Sequence, residues 1–201
     1  MEAGGEEDGM GKGFWILIGV VGVLILATLM VFGSYVSAKN QMVAKDQGVK
    51  ASWSEVDVQL ERRADLIPNL VETVKGFTKE ENSVFAEVAQ ARTGLMNAQT
   101  PQDKIAANGQ VDAALAKVLV LTENYPQLRS NEQFLRLQDE LSGTENRIGV
   151  ARKRYNDALQ DYNTFVLQFP NSIWAGIAGF KQNDAYFKAS AAAQAVPSVK
   201  F

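Results

Sequence analysis

Residues 130–170 read SNEQFLRLQDELSGTENRIGVARKRYNDALQDYNTFVLQFP. Within them Phe134, Leu137, Leu141, Thr144, Ile148, Ala151, Tyr155, Ala158, Tyr162, Phe165 and Phe169 follow one another in alternating steps of three and four. An α-helix turns once in about 3.6 residues, so these steps hold every member near one face and make a heptad seam of about five repeats. The spacing predicts a helix from Ser130 to about Leu167, ~55 Å long at ~1.5 Å per residue, stopped by Phe169-Pro170. A seam of that length needs antiparallel partners of similar length.

The preceding segments supply them. Trp53, Val56, Leu60 and Ala64 keep a helical rhythm, and the stripe resumes with Leu70, Val74, Phe77, Phe85, Val88 and Leu95. Between the two stands Pro68. It lacks the amide hydrogen and disfavours the helical conformation at Ile67, so a break or kink is expected there. Gln99-Thr100-Pro101-Gln102 reads as a joint between helices, with Thr100 as cap and Pro101 at the first helical position. The next helix carries Ile105, Val111, Leu115, Val118 and Leu121 and ends before Pro126; Asn108-Gly109 is a poor helical pair inside it. After Pro170, NSIWAGIAGF predicts a short apolar helix, and residues 190–201 a flexible tail. The expected fold is all-α: a transmembrane helix followed by an antiparallel long-helix bundle of four-helix type.

The transmembrane helix is residues 14–36, FWILIGVVGVLILATLMVFGSYV, without one charge. That length crosses a hydrocarbon core of ~30 Å, and Trp15 and Tyr35 sit where interfacial aromatics belong. A cleaved signal peptide is the rival, with VSA at 36–38 as cleavage site. Its apolar run would be shorter and its leading tail basic, whereas residues 1–13 form a short acidic tail with Glu2, Glu6, Glu7 and Asp8 against Lys12. Lys39, Lys45 and Lys50 follow the span and only Lys12 precedes it. The positive-inside rule then places the N-terminus outside and the bundle, residues 37–189, in the cytoplasm, with the periplasm as alternative.

Composition removes several classes of chemistry. The 201 residues include no histidine and no cysteine, so the commonest general base, the thiolate nucleophile and the usual zinc ligands are missing. The net charge is -3. Taking Lys12 from the 20 basic groups and the four tail carboxylates from the 23 acidic ones leaves 19 of each in residues 14–201. No basic face for nucleic acid stands out, and Arg152-Lys153-Arg154 is a short cluster on a long helix. Glu80-Glu81 and Asp139-Glu140 are adjacent pairs, which on a helix diverge by about 100° and cannot chelate alone. No catalytic, cofactor or metal residue is therefore assigned.

Four stretches carry a resemblance: WSEVDVQLERRADLIPNLVETVKGF at 53–77, AEVAQAR at 86–92, ARKRYNDALQDYNTFVLQFP at 151–170 and AGIAGF at 175–180. With the span before them they resemble the LemA family of bacterial membrane-anchored helical proteins, over about residues 36–188. The resemblance implies a long-helix bundle on an N-terminal anchor, the N-terminus outside and the domain inside, and no established catalytic activity. Where family signatures read FGF-like, this chain has Ile177-Ala178-Gly179-Phe180, a mild departure.

The family-motif residues are Trp53, Arg62, Arg63, Asp65, Pro68, Asn69, Tyr155, Asn156, Tyr162, Asn163, Phe169 and Pro170. For Arg62, Arg63 and Asp65 the structural role is an arginine paired with a carboxylate and capping the carbonyls freed at Pro68; the rival is a charged site beside a helix break. Tyr155 and Tyr162 fall on the seam as core residues whose hydroxyls find partners. Asn156 and Asn163 sit beside it, placed to bond across to a neighbouring helix or to fix register. A ligand site along the Tyr-Asn rows is the alternative.

The resulting expectation is a non-enzymatic scaffold or adaptor in the bacterial inner membrane, with the lipid bilayer and unidentified proteins as partners. It would be able to form homo-oligomers, with no role for nucleic acid. An accessory subunit of a membrane enzyme or protease complex is the alternative; a hydrolase using Ser or Lys has no motif behind it.

Overall fold

The computed structural model describes residues 7–78 and 80–188. Residues 1–6 of the expected acidic tail and the expected flexible tail at 190–201 lie outside them. Among the described residues there are six helices and no strand.

Helix α1, Glu7–Lys75, is one helix of 69 residues, about 100 Å long at ~1.5 Å per residue. Its large apolar side chains from Phe14 to Phe32 are exposed all round, over a stretch long and apolar enough to cross a bilayer. Burial starts with Tyr35 and Ala38, and from Met42 the helix turns one stripe inward through Val49, Val56, Leu60, Ala64, Ile67, Leu70 and Val74. The helix passes from the apolar stretch into the bundle without interruption.

The break expected at Pro68 is not there. Proline removes the amide hydrogen that would bond the Ala64 carbonyl four residues earlier, but Arg92 Nε donates to that oxygen at 2.8 Å instead. Ile67, Leu70, Val71 and Val74 are all buried around the gap, so packing holds the helix on both sides of it. The helix ends at Lys75, where Gly76 turns the chain.

Helix α2, Asn82–Asn97, and helix α3, Pro101–Asn124, form a hairpin. Thr100 caps α3 by accepting from the Asp103 amide at 3.1 Å, with Pro101 in the first turn. Asn108-Gly109 lies inside α3 without interrupting it. The four-residue helix α4, Pro126–Arg129, leads into helix α5, Glu132–Leu167, whose cap Asn131 accepts from the Phe134 amide at 2.9 Å. Helix α6, Asn171–Ala178, closes on Gly179, which takes a left-handed φ of 80°. Residues 180–188 then run back over the bundle without helical structure.

The α5 seam differs from the heptad at its end. Leu159 and Val166 occupy the buried positions, Ala158 and Phe165 pack only partly, and Phe169 is outside the core. A straight helix loses about 20° per heptad against a strict 3.5-residue repeat, so the buried face slides one residue toward the C-terminus.

Ion pairs establish the directions. Lys45–Asp161 at 2.6 Å, Glu55–Arg154 at 3.1 Å and Arg63–Glu145 at 2.8 Å set α1 and α5 antiparallel. Asp57–Lys104 and Arg63–Asp112 show α1 and α3 running the same way. The result is an up-down-up-down bundle. Its end nearest the apolar stretch is closed by α6, where Trp174 meets Tyr35 edge-on with ring centroids 5.7 Å apart.

Candidate functional site

Two polar clusters gather some of the motif residues. The first surrounds Arg63, whose side chain is buried. Its Nη1 donates to Asn108 Oδ1 at 3.0 Å and lies 2.6 Å from Asp112 Oδ1 and 2.8 Å from Glu145 Oε2. Asn108 Nδ2 in turn donates to Asp112 Oδ2 at 3.2 Å, and Arg152 stands 3.8 Å from the far side of Glu145. Two arginines thus face two carboxylates drawn from three helices. The local charge is balanced, which a guanidinium in this degree of burial requires. A cavity of about 330 Å³ adjoins Arg63, walled by Leu70, Leu115, Val118, Phe134 and Leu141.

Arg63 therefore pairs with carboxylates of other helices, not with Asp65 two residues on. Arg62, Asp65 and Asn69 are exposed, and none makes a side-chain hydrogen bond or ion pair with a described residue. Nor is it Arg62 or Arg63 that covers the carbonyl freed by Pro68; Arg92 does. The charged stretch at 62–65 is divided between one buried ion cluster and an open surface.

The second cluster follows the Tyr-Asn repeat. Asn163 Oδ1 accepts from the Asn183 amide at 2.9 Å, and its Nδ2 donates to the Asn183 carbonyl at 2.7 Å and to Tyr186 Oη at 2.9 Å. One heptad earlier, Asn156 does the same with Phe187: Oδ1 accepts from the amide at 3.0 Å and Nδ2 donates to the carbonyl at 2.9 Å. Each carboxamide has an acceptor and a donor side by side, matched to one residue's amide and carbonyl. Seven helical residues advance ~10.5 Å and four stretched residues ~13 Å, so the two clamps fit a segment laid along α5. Tyr162 Oη donates to the Lys181 carbonyl at 2.9 Å.

The asparagines were expected to bond to a neighbouring helix; they bond instead to the backbone of residues 183–187. Tyr155 lies on the seam, buried, but its hydroxyl has no hydrogen-bond partner among the described residues. Its ring packs edge-on against Trp53 at 5.2 Å and Phe187 at 6.0 Å, with the Arg152 guanidinium 4.9 Å above Phe187. Burial pushes both seam phenols above their ordinary value, with Tyr186 adding to this at Tyr155 and Asp46 at Tyr162. Pro170 sits at the start of α6.

Asn108, Asp112, Glu145, Arg92 and Phe187 are the partners that the sequence did not single out. Asn108-Gly109 was visible as a poor helical pair, and a buried asparagine serving Arg63 is its explanation. Arg92 was visible only as the last residue of AEVAQAR.

The chemistry available is that of a clamp. Arginine supplies no base, and the asparagines are spent on backbone groups. Among the described residues no three acidic side chains converge as a metal-holding group. Away from both clusters, an open groove of about 720 Å³ runs between α1 and α5, with Val58 and Val150 exposed in it and Glu55, Arg147 and Arg154 along it.

A family model described as the LemA family matches residues 52–201. Among curated proteins, this chain is 24% identical over 192 residues to magnetosome protein MamQ 2 of Paramagnetospirillum magneticum, covering 83% of this chain and 70% of that protein. It is 23% identical over 186 residues to protein LemA of Metamycoplasma hominis, covering 90% and 81% respectively. Magnetosome protein MamQ of Magnetospirillum gryphiswaldense is 23% identical over 199 residues, covering 86% and 72%.

Proposed function

The chain belongs to the LemA family, and from that premise we propose that it is a membrane-anchored, non-enzymatic scaffold or adaptor that acts by protein contact. The observation that carries this is the fate of the motif residues. Arg63 is consumed in joining three helices, Asn156, Asn163 and Tyr162 in holding residues 181–187 against α5, and Arg62, Asp65 and Asn69 stand apart on the surface. Nothing in that arrangement joins a nucleophile to a base. The names of the relatives state no reaction either.

The apolar part of α1 is the anchor, in the bacterial inner membrane. Because α1 runs unbroken into the core, the anchor and the bundle form one stiff body. Lys39, Lys45 and Lys50 on the bundle side of the span favour a cytoplasmic bundle and an external N-terminus. Contact is made through the α1–α5 groove, where apolar Val58 and Val150 lie among charges of both signs, a composition suited to a second copy or a protein partner.

Mild detergent extraction of the untagged chain at its native level, followed by sizing and identification of co-purifying chains, tests the proposal. A stoichiometric complex, of copies or with a constant partner, is expected. A monomeric chain with no constant companion, which instead turns over a small molecule, would overturn it.

A further inference from the structure

Scattered exposed apolar side chains are ordinary on any protein. Here four of them collect at one end. Leu167 is 57% exposed, Phe169 76%, Ile173 51% and Ile177 66%, and all lie on the end of α5, in the short link after it or on α6. From Tyr162 to Phe180 the chain has no charged residue, nineteen in a row, with Asp161 and Lys181 at the borders.

Their height along α1 is what identifies their surroundings. Trp174 of α6 packs on Tyr35, and Tyr35 is the next-to-last residue of the apolar run at 14–36. Before Tyr35 the described side chains of α1 are bare; from Ala38 they turn into the core. Helix α6 therefore stands where the anchor leaves the hydrocarbon, if the anchor spans. Ala175 faces inward and Ile173 and Ile177, one turn apart, face outward on a shared side.

Resting on the reading of α1 as a membrane anchor, we propose that α6 and the adjoining Leu167 and Phe169 are a second membrane contact, seated in the interfacial layer of the same bilayer leaflet. An apolar helical face with no charge suits the headgroup–acyl boundary. No independent affinity is needed, because the anchor already holds α6 at the lipid surface and makes insertion an intramolecular step. The anchor then enters the membrane beside a fixed foot, and the tilt of the bundle against the bilayer is set at two points.

The test uses the full chain in phosphatidylcholine–phosphatidylglycerol vesicles. The chain has no cysteine, so Ile177→Cys, Val23→Cys and Ser130→Cys each carry a single environment-sensitive fluorophore; Ser130 is exposed between α4 and α5, at the opposite end of α5 from α6. Quenching is read with nitroxide lipids labelled shallow or deep in the acyl chain. The expected result is Ile177 quenched several-fold more than Ser130 and best by the shallow label, with Val23 quenched best by the deep one. Ile177 as weakly quenched as Ser130 while Val23 is quenched would overturn the proposal and leave the anchor standing. A water-shielded Ile177 that lipid nitroxide does not reach would also overturn it, in favour of a protein covering α6. Val23 unquenched would bring down the anchor and with it this proposal. Ile173→Cys repeats the measurement at a second exposed position should Ile177→Cys fold poorly.

Discussion

Arg92 Nε lies 2.8 Å from the carbonyl oxygen of Ala64, and Ala64 stands four residues before Pro68. The guanidinium of α2 thus supplies to α1 the donor that proline lacks. Removing it should leave a buried carbonyl unsatisfied, costing about 1–3 kcal/mol. Denaturation of full-length Arg92→Ala in detergent should show that loss. In a Pro68→Ala background, where residue 68 regains its amide hydrogen, the same substitution should cost measurably less. Equal costs in both backgrounds would separate Arg92 from the proline.

Arg63 is the only cation shared by Asp112, Glu145 and Asn108 in the pairs described. Breaking a buried pair costs about 3–5 kcal/mol, but both carboxylates are partly open to water and are screened there. Arg63→Ala should therefore lose roughly 2–3 kcal/mol of stability by chemical denaturation. Arg63→Lys should recover only part of it, since a point charge cannot reproduce the planar fork.

The two asparagine clamps should control residues 181–188 without controlling the helices. Asn156→Ala and Asn163→Ala each remove two backbone bonds at about 0.5–1.5 kcal/mol apiece. Amide exchange at Phe187 and Asn183 respectively should rise by about tenfold or more, ~1.4 kcal/mol, with α5 amides little changed. Protection that falls equally throughout α5 would show that the asparagines hold the bundle itself.

Alkaline pH should weaken the fold from a known point. Tyr155 and Tyr162 hold their protons above the ordinary value in the folded chain, chiefly because burial disfavours the phenolate. The unfolded chain releases them near pH ~10. Their contribution is complete below that value and is lost as pH rises from it through the raised folded values. The melting temperature should begin to fall above pH ~10, and Tyr155→Phe, whose hydroxyl has no described partner, should blunt the fall with little effect at neutral pH. A melting temperature as pH-sensitive in Tyr155→Phe and Tyr162→Phe as in the unsubstituted chain would place the loss elsewhere.

The long helices were legible because a single physical cause, one face turned inward, writes itself as a local period. Thr100 announced one helix start in the same local way; the cap at Asn131 was passed over, and α5 starts at Glu132 and not at Ser130. Pro68 misled because its local preference was outweighed by buried neighbours and by an arginine from another helix. The far end of the α5 seam misled because a seven-residue repeat and a straight helix drift apart. The Tyr-Asn repeat was visible as a pattern, but its partner was not. Residues 180–188 are held by side chains gripping backbone groups, which leaves no apolar period to read. Arg63 found its carboxylates on helices far along the chain, and no spacing encodes such a pairing.

The most direct test of a contact function is photo-crosslinking in living cells from the α1–α5 groove. A benzophenone amino acid at Val58 or Val150, both exposed there, reports whatever touches that face. The expected result is the same discrete protein adduct from both positions, running at a multiple of the chain's own mass if copies associate, and absent from Lys153 on the outer surface of α5. A folded, membrane-held chain that yields no protein adduct from either position would contradict a scaffold that works through this groove.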